Sequence, residues 1–367
     1  MSSKNRVPAQ TKRSKGSSAP ARGRGSELAL PPPQTHKKIG VLIAFILCAL
    51  ITGLVCAAVS HRSHVDLHQH AYRALEPGAP SPLGDFPAET DAERELEGML
   101  AGPDDKIDLS LANYLIVADL PQFGDLTRSE YFGMLGAWTE HVRKLMEQAR
   151  KDPAMKDSIH DPKTLSYVFC SGIISLGIDY PEQFKKKELQ AADLRAMYQN
   201  ANNVFLPGLL RTRAGTCVSL PMLYLAVAEQ LGFPLHLVGV GQHRFVRWEQ
   251  GGFRMNVETT IVRQVAMTPS EDVFLETEGV SRGQLAGTNA LRNLTRREVV
   301  GDLFFVRACH YESLGDQFLV LALRDNRRAV HLMPDNPRFQ AHFDVIWRRY
   351  NALREAGRTP PGRRELQ

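Results

Sequence analysis

The hydrophobic pattern changes character several times along the chain. Ile39 to Val59 is a run of 21 residues without a charge, enough for a helix about 30 Å long that matches a bilayer core. From about 91 to 202 the spacing is helical. Asp108 precedes Leu109-Ser-Leu-Ala-Asn-Tyr-Leu-Ile-Val as a capping acid, and Tyr131, Leu135, Trp138, Val142 and Leu145 recur at steps of three and four. Further helices are expected around 163–176 and 182–199. Leu220 to Leu231 is apolar on nearly every side and predicts a buried helix, stopped by Gly232-Phe-Pro. The texture then turns to strands: 235–240, 243–248 and 253–257, divided by Gly241-Gln242 and Gln250-Gly251-Gly252 as hairpin turns. Residues 262–293 show no clear period. Helices return at 302–311, 319–330 and 338–354, with Pro334-Asp-Asn-Pro337 between the last two. A buried helix followed by antiparallel strands, flanked by helices, predicts an α+β protein.

Charge refines this picture at the N-terminus. Residues 1–38 carry nine Lys or Arg against Glu27 alone, a net +8, so the other 329 residues total −3 of the chain's +5. The basic excess is therefore a Ser/Pro/Gly-rich tail, and it argues against a nucleic-acid-binding fold. Lys37 and Lys38 flank the apolar run, which places the N-terminus in the cytoplasm and the rest of the chain beyond the membrane. A cleaved secretory signal is the competing reading, but the apolar run and the basic region before it are both long for one. The expected order is a basic cytoplasmic tail (1–38), a single-pass helix (39–60) and a Pro/Gly/Ser linker (61–90). A core domain with its helical N-terminal lobe (91–293), C-terminal helices (294–356) and a short tail (357–367) follow. Membrane lipid is the partner this implies, at a bacterial inner membrane with the main domain outside the cytoplasm.

The five cysteines do not form a disulfide framework. Cys48 and Cys56 fall in the apolar run, while Cys170 and Cys309 sit in apolar helical contexts and read as small buried side chains. His64 and His68 stand four apart, as metal-binding pairs on a helix do, but no further ligand completes a site. No metal or cofactor is expected.

Cys217 differs by its neighbours. It stands in Arg213-Ala-Gly-Thr-Cys-Val-Ser-Leu-Pro, where a Gly-Thr turn meets the buried helix. A thiol at a helix start lies at the positive end of the helix dipole, the environment of reactive cysteines. His243 opens one strand, and Glu258 ends the next on the face that carries Arg254 and Asn256. Cys, His and an acid so placed can form a nucleophile, a base and an orienting group. Asn256 is the alternative third member. The plainer reading makes Cys217 a packed small residue and His243 a hydrogen-bonded structural one.

Residues 203–260 resemble the transglutaminase-like superfamily, in particular its bacterial SirB branch. The resemblance rests on Asn203-Val-Phe-Leu-Pro, on Arg213 to Leu225 around Cys217, on Gly241-Gln-His-Arg-Phe-Val-Arg and on Asn256-Val-Glu-Thr-Thr. Ile107 to Ile116 and the C-terminal helices extend it over about 100–355, the latter as a tetratricopeptide-like unit with its capping helix. The resemblance implies a papain-like thiol fold with Cys217 as nucleophile, His243 as base and Glu258 as orienting acid. This sequence departs in two respects: Glu stands where the superfamily often has Asp, and Thr259-Thr-Ile follows in place of glycines. The expected activity is acyl transfer, as a peptidase, an amidase or a transglutaminase, on a peptide or protein. The alternative is a membrane-tethered binding or regulatory protein on an inactive copy of the fold.

Overall fold

A computed structural model describes residues 89–181, 184, 191–260 and 268–362. The expected tail, apolar span, His64/His68 pair and most of the linker lie outside these residues. Among the described residues no helix is long and apolar enough to cross a membrane.

The architecture is α+β, mostly helical, with one small antiparallel sheet. Four helices come first: α1 (Asp91–Leu100), α2 (Leu109–Leu115), α3 (Arg128–Lys151) and α4 (Pro162–Ile174). Asp108 caps α2 by accepting from Leu111 N–H, and Thr127 with Glu130 forms a capping box on α3. Tyr131, Leu135, Trp138 and Val142 make the buried face of α3, as their spacing requires. α5 (Ala191–Gln199), α6 (Ala201–Val204) and α7 (Leu206–Thr212) lead into α8 (Ser219–Leu231). Every residue of α8 from Ser219 to Ala228 is buried, because α2, α3, α7 and the sheet all pack around it.

The sheet is a meander of β1 (Leu235–Val240), β2 (His243–Gln250) and β3 (Phe253–Val257), with β2 in the centre. Both turns have two residues. Gly241 leads the first with φ +55°, and Gly251 and Gly252 both have positive φ in the second. A Cβ on Gly241 would lie 2.4 Å from Glu278 Oε2. Gly241→Ala is therefore expected to cost about 1–2 kcal/mol through left-handed strain alone; a urea midpoint unchanged from wild type would contradict this.

β2 is buried on both faces, from His243 to Trp248. Val246 and Trp248 face the main core, where Trp248 packs on Phe233 and Phe169. Phe245 faces a smaller cluster with Val238 and Val240, covered by α9 (Glu271–Glu278) through Phe274 and Leu275. Three helices close the chain: α10 (Arg296–Leu314), α11 (Leu319–Leu332) and α12 (Pro337–Glu355). α10 and α11 pack along each other, and α10 is buried almost all round. One continuous core runs from Leu96 to Tyr350.

A buried ionic cluster ties the last helices to the first. Arg307 of α10 donates to both oxygens of Asp325 on α11 at 2.6 and 2.9 Å, and it lies 3.3 Å from Glu93 of α1. Arg324 also pairs with Glu93. These four side chains are at most 1% exposed.

Candidate active site

The Cys217 turn is built by hydrogen bonds to a distant carbonyl. Thr216 Oγ1 and Ser219 Oγ both donate to Asn203 C=O, at 3.0 and 2.9 Å. Thr216 N–H in turn donates to Ser219 Oγ at 3.1 Å. Arg213 takes a left-handed conformation to end α7, and the following strand-like step pairs with Asp179 through Gly215 N–H. Gly215 has no room for a side chain: a Cβ there would lie 2.5 Å from Leu209 Cδ1 and 2.9 Å from Leu220 Cγ. The turn thus feeds Cys217 onto α8 in one direction only. The helix proper begins at Ser219 with Val218 as its cap, so Cys217 lies one residue outside the cap rather than on it. Leu220 N–H bonds back to Thr216 C=O at 2.9 Å, so Cys217 is still enclosed by the first helical turn.

Cys217, His243 and Glu258 come together. His243 Nε2 and Glu258 Oε2 are 2.6 Å apart, with His243 only 6% and Glu258 only 8% exposed. The Cys217 side chain is a hydrogen-bond partner of the same imidazole. Strand register explains the reach of the acid. Val246 pairs with Val257, so Glu258 falls opposite Phe245 and diagonal to His243 on one face, a separation that a long side chain spans. The other carboxylate oxygen is fixed by Thr260, whose N–H and Oγ1 donate at 2.9 and 2.7 Å.

Electrostatics keep this pair ionised. Burial is the largest single influence on His243 and acts against its charge. The Glu258 carboxylate and the hydrogen bonds to Cys217 and Glu258 outweigh it, and His243 stays protonated well above the ordinary imidazole range. Burial likewise opposes the charge on Glu258, yet His243 and Thr260 hold its carboxyl below the usual value. The imidazole is also stacked, 5.7 Å from the Phe274 ring, and Phe274 lies parallel to Phe245 at 3.9 Å.

Asn256 is not brought to His243. It lies directly across from Arg247, accepts from its Nε at 2.8 Å and donates to Pro269 C=O at 3.1 Å. The strand parity placed Asn256 on the right face, but its cross-strand neighbour is a buried guanidinium that takes its oxygen. Glu258 is thus the only one of the two acceptors that reaches the ring.

Other site residues gave no local signal. Glu278 of α9 accepts from Gln242 N–H at 2.8 Å and so fixes the turn before His243. Burial pushes its carboxyl above the usual range. Arg244, next to His243 but on the opposite face of β2, makes a two-pronged pair with Asp302 of α10 at 2.6 and 2.7 Å. A cleft of about 80 Å³ opens between His243, Arg244 and the start of α12.

The other described cysteines contrast with Cys217. Cys170 is fully buried and its thiol is pushed up to about 12 by burial. Cys309 lies 3.9 Å from His342 Nε2, but that nitrogen is also 2.9 Å from Glu312, while Nδ1 faces Asn326 at 3.0 Å. Sulfur and acid share one ring nitrogen there. Among the described residues no group of three or more His, Cys, Asp or Glu is arranged to hold a metal ion.

Residues 184–300 match a family described as the transglutaminase-like superfamily, so the chain carries a domain of that kind around Cys217, His243 and Glu258. Among curated proteins, the chain is similar to F-box only protein 21 of Mus musculus, 44% identical over 57 residues. The Homo sapiens and Pongo abelii proteins of the same name are 42% identical over 57 residues. Each match covers 16% of this chain and 9% of the relative, so the shared stretch is under a tenth of those proteins. No solved structure matches the chain significantly.

Proposed function

We propose that this protein is a thiol-dependent acyl-transfer enzyme, a peptide or amide hydrolase or a transamidase of the SirB-like branch. The observation that carries this reading is one buried imidazole bonded to both the Cys217 thiol and the Glu258 carboxylate. In the proposed reaction the Cys217 thiolate, its proton already resting on the His243 imidazolium, attacks an amide carbonyl. Backbone N–H groups near the start of α8 would hold the developing oxyanion. The imidazolium, held charged by Glu258, then protonates the leaving amine. Water or a second amine, deprotonated by the now neutral His243, attacks the thioester and releases Cys217. The apolar run 39–60 would anchor the enzyme in a membrane, with this domain on the side opposite the basic tail.

A second reading, a protein-binding module on a silent fold, is favoured by the near-complete burial of His243 and Glu258. The two readings part on a single substitution. The full-length protein in detergent would be tested for ammonia release and amine incorporation with glutamine-containing casein, and for hydrolysis of acyl-peptide amides. Any such activity is expected to fall at least about 10³-fold in Cys217→Ala. Activity that survives Cys217→Ala would overturn the mechanism.

A further inference from the structure

Helix α9 meets His243 at two points. Phe274 lies against the imidazole, with ring centroids 5.7 Å apart. Glu278 stands four residues further along α9, on the same helix face, and reaches the two-residue turn that leads into His243. Its Oε2 accepts from Gln242 N–H at 2.8 Å, and the backbone of His243 adds a hydrogen bond to the same carboxylate. Gly241 makes this approach possible, because a Cβ there would collide with that oxygen. Val240 and His243 are the closing pair of the β1–β2 hairpin, so the backbone of His243 follows the turn.

The place is an unfavourable one for an acid. Glu278 is the last residue of α9, at the negative end of the helix dipole, and it is partly buried. Burial raises its carboxyl above the ordinary 4.5. The Gln242 bond, the charges of His243 on β2 and Arg338 on α12, and the His243 bond act the other way. β1, on which α9 packs, carries only His236, whose charged neighbours are Glu249, Arg247 and Arg296. A charge held there against burial and dipole alike is spent on the N–H groups that lead into β2.

We propose that Glu278 is a positioning residue for the thiol reaction: its ionised carboxylate sets the turn and with it the aim of His243 at Cys217, and protonation of that carboxylate slackens both. The proposal rests on the thiol reading and adds a control from outside the Cys217, His243 and Glu258 set. A charged acceptor holds an N–H more strongly than a neutral one. Glu278 acts through His243 and exchanges no proton with the reacting groups.

The test follows Cys217 alkylation by iodoacetamide against pH, in full-length protein in detergent, read by mass spectrometry. Glu278→Gln keeps the acceptor and loses the charge. At pH 7 it is expected to react about fivefold more slowly than wild type, the difference between a charged and a neutral acceptor. The two curves should converge on the acid side, as wild-type Glu278 takes up its proton above 4.5. Stability should not follow reactivity. A carboxyl raised by folding lowers stability as pH rises through its folded value, so at pH 7 Glu278→Gln should resist urea at least as well as wild type. Equal rates at pH 7, a rate ratio constant with pH, or reactivity and stability lost together would each overturn the proposal.

A second readout separates this from failure of the thiol reading. With 15N-labelled histidine, the backbone amide of His243 is expected to shift in an acid-side step that Glu278→Gln abolishes. That step with an ordinary thiol curve for wild-type Cys217 would overturn the thiol reading and uphold the grip of Glu278 on His243. Absence of the step would overturn the positioning role, whatever the reactivity of Cys217.

Discussion

Glu258→Gln should strip His243 of its charge at neutral pH. The imidazole is raised only because the carboxylate and its hydrogen bonds outweigh burial, the largest influence acting on it. Glutamine keeps the shape and removes the charge. The His243 titration, followed by NMR of the ring nitrogens, is expected to fall from well above the ordinary value of 6.5 to near or below it. Cys217 alkylation at pH 7 should then slow at least about tenfold, since the sulfur loses its cationic partner. The linked stability has a defined window. The raised His243 contributes fully below its ordinary 6.5, and this is lost as pH rises through its folded value. The depressed Glu258 contributes above its ordinary 4.5, and this is lost as pH falls through its folded value. Wild type should thus exceed Glu258→Gln in stability most clearly between those two ordinary values. An unmoved His243 titration would show that another group holds the ring.

Asp325→Ala should be the most damaging single change to the scaffold. It removes both carboxylate oxygens from Arg307, a fully buried guanidinium. Glu93 would remain as its nearest acid, at 3.3 Å and shared with Arg324. Breaking a buried pair in this way costs about 3–5 kcal/mol, because the surviving charge is left without compensation in a low dielectric. The loss would be read from chemical denaturation, and an effect below about 1 kcal/mol would contradict it. The cluster joins α1 to α10 and α11, and α10 carries Asp302, so the C-terminal helices belong to the scaffold that shapes the site.

The parts legible in the sequence are those set by short-range pattern. Glycines with positive φ fixed both hairpin turns, alternation put His243 and Phe245 on one face, and continuous apolarity marked α8 as buried. The meeting of Cys217, His243 and Glu258 could be read because a helix start and two adjacent strand ends are enough to assemble it. What escaped was long-range or weakly periodic. α9 offers only Phe274 and Leu275 to the core, too few to show a period, yet it stacks on His243 and caps its turn through Glu278. The Arg244–Asp302 pair joins residues 58 apart. Asn256 shows the limit of face parity, which assigns a side but not a neighbour: Arg247 across the strand takes it. The basic tail and the apolar run Ile39 to Val59 lie outside the described residues, so the expectation of an anchor comes from their pattern.

The most direct test of the central claim is the pH dependence of Cys217 alkylation by iodoacetamide in full-length wild type and His243→Ala. Wild-type Cys217 is expected to react rapidly even at pH 6, because the charged His243 is its partner. His243→Ala is expected to lose about a hundredfold in rate there. Slow alkylation that follows an ordinary thiol curve in both proteins would contradict a thiol–imidazole couple and leave the binding-module reading.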